Sequence, residues 1–107
     1  MSLYFKYYQS ALLRDLFNCV KQAFTQADAP LKLSYDDFSI RMLEKLQINE
    51  EISGVMLDDD ELIGFILHSR AYFQGIDTIY NGGTGIVSAY RGKGIIQKIY
   101  KNLLPRL

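Results

Sequence analysis

Leu12, Leu13, Leu16, Phe17, Val20 and Phe24 recur at three- and four-residue spacing. That spacing forms one apolar stripe and predicts a helix over about Ser10 to Phe24. Asp28-Ala29-Pro30 ends it, because proline disfavours helical backbone in the residue before it. The aromatic stretch Leu3 to Tyr8 reads as a strand entering this helix. Ser34 and Asp37 predict the start of a second helix, in a capping-box arrangement where each side chain satisfies a free backbone N–H. Phe38, Met42, Leu43 and Leu46 give that helix its buried face. From Glu51 the period becomes extended. Ile52 to Leu57 and Leu62 to Phe73 flank Asp58-Asp59-Asp60-Glu61, which predicts two antiparallel strands joined by an acidic turn. After Gln74-Gly75 a third strand runs from Ile76 to Val87, interrupted by Gly82-Gly83, a sign of a bulge or a close approach. Ile95, Ile96, Ile99, Tyr100, Leu103 and Leu104 then recur at helical spacing, and Pro105 stops the run. A strand, two helices, a three-strand meander and a helix make an α+β pattern.

The 107 residues fit a single domain, 1–107, without repeats, low-complexity tracts or a linker. Lys+Arg 12 balance Asp+Glu 12, and this neutral chain lacks the positive field that wholesale nucleic-acid binding needs. The longest apolar run, Leu62 to Leu67, is strand-sized, and the N-terminus lacks the order of a signal peptide, so no membrane partner is expected. A lone Cys19 excludes a disulfide framework and a cysteine-based zinc site, and implies the cytoplasm as the default compartment. No metal is expected.

The chemistry concentrates in Gly85-Ile86-Val87-Ser88-Ala89-Tyr90-Arg91-Gly92-Lys93-Gly94-Ile95-Ile96. An apolar strand leads through a basic turn with two glycines into a helix start. Such glycines let backbone N–H groups converge, the helix N-terminus adds positive partial charge, and Arg91 and Lys93 add full charges. That combination suits a pyrophosphate; the plainer reading is a solvated strand-to-helix turn. It is not a P-loop, because Gly94 rather than Ser or Thr follows Lys93 and Val87 stands where that motif needs glycine. The dinucleotide fingerprint fails as well, since Ile95, Ile96 and Gln97 follow Gly94 where its last glycine belongs.

Arg91-Gly92-Lys93-Gly94-Ile95-Ile96, preceded by Tyr90, resembles the Arg/Gln-x-x-Gly-x-Gly/Ala signature of the GNAT superfamily of acyl-CoA-dependent N-acyltransferases. The resemblance extends through Leu62-Ile63-Gly64-Phe65 and Tyr80-Asn81-Gly82-Gly83-Thr84-Gly85-Ile86, and with the element order covers nearly the whole chain. It implies a mostly antiparallel central sheet of about four strands with three helices. It also implies acetyl-CoA as cosubstrate, an amine acceptor (a small molecule or a peptide) and N-acetyltransferase activity. The strand at Ile86 and Val87 would offer backbone groups to the pantetheine arm. The backbone N–H groups of Arg91, Gly92, Lys93, Gly94, Ile95 and Ile96 would hold the pyrophosphate. Two positions depart from the signature: Ile96 replaces a small residue, and Ser88 replaces the proline common before the aromatic residue. The family continues with a further strand, a helix and a terminal hairpin, so the chain is expected to be the cofactor-binding first half of the fold. As an isolated chain it would be a poor catalyst, and it would form a homodimer through the sheet edge or last helix left bare.

Other residues are less telling. His68, the single imidazole, is either a general base for an amine or a hydrogen-bonded strand residue. Asp58, Asp59, Asp60 and Glu61 lack the glycine and glutamate of a calcium loop, and read as a solvated turn. Glu50 and Glu51 read as a charged loop that could approach a substrate cleft, and Cys19 as inert core. No catalytic residue is assigned. Beside an acetyltransferase stand two alternatives: a non-catalytic CoA-binding or protein-interaction module, and a small structural domain with a coincidental RGKG turn.

Overall fold

A computed structural model of the chain describes residues 2–24, 34–42 and 47–107. Four antiparallel strands lie in the order β1-β2-β3-β4: β1 Leu3–Tyr7, β2 Gly54–Asp58, β3 Glu61–Phe73 and β4 Ile76–Ile86. Helices α1 (Leu13–Phe24) and α2 (Tyr35–Ile40) fall between β1 and β2, and α3 (Ile95–Leu103) follows β4. Among the described residues the α+β architecture, the four strands and the three helices are those expected from the sequence.

Boundaries move where local hydrogen bonds outcompete the period. Ser10–Leu12 is a 3-10 turn ahead of α1 rather than its first turn. Ile52, expected to open a strand, closes the 3-10 turn Glu50–Ile52, because the Asn49 side chain accepts from the Glu51 N–H at 2.9 Å and winds the backbone. Of the expected capping box one half forms: Ser34 Oγ accepts from the Asp37 N–H at 3.1 Å, while among the described residues the Asp37 side chain makes no return bond to the Ser34 N–H. Asp28-Ala29-Pro30, Leu43 and Leu46 lie outside the described residues. The strand through Gly82-Gly83 is continuous. Leu67 pairs with Gly83 and His68 with Asn81, which leaves Gly82 as the extra residue of a bulge. A second bulge, unmarked in the sequence, sits at Ile63, between the pairs Met56–Gly64 and Leu57–Leu62.

Every residue from Leu62 to His68 is buried, so β3 is covered on both faces. Helix α3 lies over the face of Gly64, into which Ile95 and Ile99 project; α1 packs on the other. Leu16, Phe38, Ile63, Phe65, Leu67, Ile95, Ile99 and Leu103 anchor one continuous core. Gly54 permits the close approach of α3. A Cβ there would lie 2.5 Å from Phe5 Cε2 and 3.3 Å from Ile99 Cγ2, inside van der Waals contact. Ile95, Ile99 and Leu103 thereby fix the axis of α3, and with it the place of its N-terminus.

Candidate cofactor site at the turn before α3

The turn is pinned from behind. Val87 N–H donates to the Ile63 carbonyl at 2.9 Å, which fastens the end of β4 to the bulge of β3. Tyr90 N–H donates to Val87 O at 2.9 Å and Arg91 N–H to Ser88 O at 3.2 Å, closing the 3-10 turn Ser88–Tyr90 without a proline. Gly92 and Gly94 then take φ of 78° and 71°, the left-handed region, with no atom within 4 Å of a Cβ built on either. Glycine is required here by backbone conformation rather than by space. The two reversals turn consecutive N–H groups to one side. Lys98 N–H is the first in α3 to find a backbone carbonyl, that of Gly94 at 3.2 Å. Among the described residues the N–H groups of Gly92, Lys93, Gly94, Ile95, Ile96 and Gln97 have no acceptor. Of these residues Gly92, Gly94, Ile95, Ile96 and Gln97 line a concavity of about 320 Å³ whose other walls are Ile86, Tyr90 and Arg91. A row of unpaired donors at a helix N-terminus has the chemistry that suits an anion.

The side chains of the turn are arranged differently from the sequence expectation. Arg91 does not offer its guanidinium freely: Nη2 donates to the Ala23 carbonyl at 2.9 Å and so caps the C-terminal turn of α1. With its N–H held by Ser88, Arg91 anchors the turn. Lys93 is exposed and makes no ion pair among the described residues, so its ammonium remains available. Ile95 is buried in the core and can contribute only its N–H. Ile96 is half-buried and stands as a ridge between this concavity and the next.

Asp58 is not simply part of a solvated turn. It accepts from the Ser2 N–H at 2.8 Å and from the Tyr90 hydroxyl, tying the turn to the end of β2. The tyrosine hydroxyl hydrogen bond, followed by the Ser2 backbone, holds the Asp58 carboxyl below its usual range. The same bond pushes Tyr90 up to about 12. Glu50 likewise has a structural partner, accepting from the Ser10 N–H at 2.9 Å.

Beyond the turn, β4 pairs with β3 along one edge only, and its other edge bears no strand among the described residues. Val87 bonds toward β3, and antiparallel partners alternate, so the outward backbone groups at this end of β4 are those of Ile86 and Thr84. Along that edge lies a second concavity of about 420 Å³, between β4 and α3, sharing Ile96 and Gln97 with the first. His68, Asn81 and Thr84 line it from the sheet and Tyr100 and Lys101 from the helix. His68 is buried, its backbone N–H donating to Ser53 Oγ at 2.9 Å and its Nδ1 lying 2.6 Å from the Ile52 carbonyl. Cys19 is buried, and desolvation pushes its thiol up to about 12. Among the described residues no group of three or more His, Cys, Asp or Glu side chains could hold a metal ion. No helix among them is long and apolar enough to cross a membrane.

No protein-family model and no curated protein sequence matches the chain. Its fold does match solved structures. The GCN5-related glucosamine N-acetyltransferase region of a fungal multi-domain β-N-acetylglucosaminidase superposes with a TM-score of 0.77 at 13% identity, over 98% of this chain and 12% of that one. A putative acetyltransferase from Pyrococcus horikoshii gives 0.75 at 15% identity, over 99% of this chain and 34% of that one. A GNAT family acetyltransferase from Brucella melitensis, solved in complex with acetyl-CoA, gives 0.68 at 16% identity, over 97% and 67%. The chain spans about a third or less of the length of the first two. The chain has a partial GNAT-like α+β fold, and at these identities the likeness extends to fold alone.

Proposed function

We propose that this chain binds acetyl-CoA at the turn before α3 and serves acetyl transfer to an amine. One observation carries the reading: the N–H groups of Gly92 to Gln97 stand unpaired at a helix N-terminus, and all of these residues but Lys93 line one concavity. A pyrophosphate is the anion that such a row of donors fits, with Lys93 supplying a full charge beside it. The pantetheine arm would leave the turn along the open edge of β4, against the outward backbone groups of Ile86 and Thr84. The turn itself supplies no acid or base. Its task is to hold the thioester in one place and so convert a bimolecular encounter into an oriented one.

Isothermal titration calorimetry of the chain with acetyl-CoA tests this reading. Binding is expected, and Gly94→Val is expected to weaken it by about 1–3 kcal/mol through strain and lost charge-assisted hydrogen bonds. Unchanged affinity in that variant contradicts the assignment of the turn. A chain that binds without catalysing would be the CoA-binding module rather than the transferase.

The open edge of β4 would also pair with a second copy of the chain, since unpaired strand edges template association and a formal charge of zero opposes it little. Such a homodimer would compete with the pantetheine arm for the same backbone groups. Light scattering at micromolar protein is expected to show a dimer that acetyl-CoA dissociates. A monomer at all concentrations would exclude this association.

A further inference from the structure

His68 is oriented for proton transfer. Its Nδ1 lies 2.6 Å from the Ile52 carbonyl, which can only accept, so Nδ1 carries the proton and the lone pair of the neutral ring sits on Nε2. Among the described residues Nε2 has no hydrogen-bond partner, yet no buried side-chain nitrogen or oxygen is left without one. Nε2 therefore keeps some exposed surface, and His68 lines the concavity between β4 and α3. The ring is held by burial and by the Nδ1–Ile52 bond, and Ser53 Oγ fixes the backbone that carries it, accepting from the His68 N–H at 2.9 Å and donating to the His68 carbonyl at 3.2 Å. A held imidazole with one nitrogen satisfied and the other without a partner beside a cavity is the arrangement of a positioned base.

The location suits the same purpose. His68 pairs across the sheet with Asn81. From Ile86 back to Asn81 the open edge of β4 runs about 16 Å at the usual strand rise. An extended arm leaving the turn at Ile86 and following Thr84 arrives at this cavity.

We propose that the cavity between β4 and α3 receives the acyl-thioester end of the cosubstrate and the acceptor amine, and that His68 Nε2 accepts the amine proton. This rests on the acetyl-CoA reading above. The amine nitrogen forms a bond to the thioester carbonyl carbon and the C–S bond breaks. The nitrogen loses one proton to Nε2, and the departing thiolate takes it back, leaving an amide, a thiol and neutral His68. The lining also limits the acceptor. Among the described residues that line it, Ile66, Ile96, Tyr100 and Leu104 present apolar surface, none is a carboxylate, and Lys101 is the one permanently charged group. An amine on an apolar body, with any second charge negative, fits; a polyamine does not.

Because His68 is the single histidine, diethyl pyrocarbonate and mass spectrometry on the full chain read it directly. His68 is expected to be carbethoxylated, and acetyl-CoA at ten times its calorimetric Kd to slow this about tenfold. ADP, which lacks the arm, is expected to leave the rate unchanged. Resistance of His68 in the free chain, or binding of acetyl-CoA without protection, overturns the placement and leaves the cofactor reading standing. Absence of acetyl-CoA binding overturns both. The base role is read by thiol release with phenylalanine as the acceptor, in which buried Cys19 gives little background. His68→Asn keeps a donor for the Ile52 carbonyl and is expected to retain acetyl-CoA affinity while losing about 10²–10⁴-fold in rate. An undiminished rate in that variant, or no amine-dependent release by the unmodified chain, removes His68 as the base. Spermidine outpacing phenylalanine removes the acceptor assignment.

Discussion

The buried face of α3 and the turn at its N-terminus both depend on glycine, for opposite reasons. Under the helix, Gly54 is a matter of space: the Phe5 ring and Ile99 occupy what a side chain would need. Before the helix, Gly92 and Gly94 face open space, and only their left-handed φ excludes other residues. The first region buries side chains and satisfies its backbone; the second exposes side chains and leaves its backbone N–H groups without partners. Packing energy thus collects on one face of α3 and unpaired backbone donors at one end. Because the same helix carries both, the core determines where the donors stand.

Substitutions can separate the two regions. The largest effect is expected for Ile99→Ala, a fully buried position between α3 and the sheet. It should cost about 2–5 kcal/mol, lowering Tm by at least about 8 °C, with acetyl-CoA affinity retained in whatever fraction stays folded. Gly54→Ala should follow, at about 1–3 kcal/mol from overpacking against Phe5, read by urea denaturation. Gly94→Ala should cost about 1–2 kcal/mol in backbone strain, with cofactor affinity reduced as well, and Gly94→Asn less, since asparagine tolerates the left-handed region. If Gly94→Ala proved as damaging to stability as Ile99→Ala, the turn would belong to the core and the contrast would fail.

The smallest effect concerns Tyr90 and Asp58, which fasten the turn at the surface. The folded-state pKa of Asp58 is depressed, so its contribution is present above the ordinary value of 3.8 and lost as pH falls through the lowered one. Tyr90 is raised from 10.0 to about 12, so its contribution is complete below pH 10 and disappears as pH rises toward 12. Thermal melts of the chain and Tyr90→Phe should differ slightly at neutral pH and converge at both extremes. A difference that persisted at low pH would show that the hydroxyl acts through another partner.

What was legible in the sequence is what neighbours in the chain decide. The stripe of Ile95, Ile99 and Leu103, the cap at Ser34, the bulge announced by Gly82-Gly83 and the two-glycine turn all follow from local spacing and conformation. Contacts between distant segments were not legible. Arg91 reads as an anion ligand until α1 brings the Ala23 carbonyl to it from 68 residues away. Asp58 reads as a solvated turn residue until Tyr90 meets it, and nothing near His68 in the chain announces that the Ile52 carbonyl meets its Nδ1. The bulge at Ile63 bears no glycine and gave no signal, although its carbonyl holds the end of β4. Gln97, a shared wall of both concavities, likewise carried no mark beyond its place in the first turn of α3.

The central claim is that the turn before α3 is an anion cradle made of backbone. Amide resonances of the ¹⁵N-labelled chain, followed during titration with acetyl-CoA, test it most directly. The largest shifts should fall on Gly92 to Gln97, with Arg91, whose N–H is already held by Ser88, moving less. Saturable binding that leaves those amides in place and moves others would contradict the account.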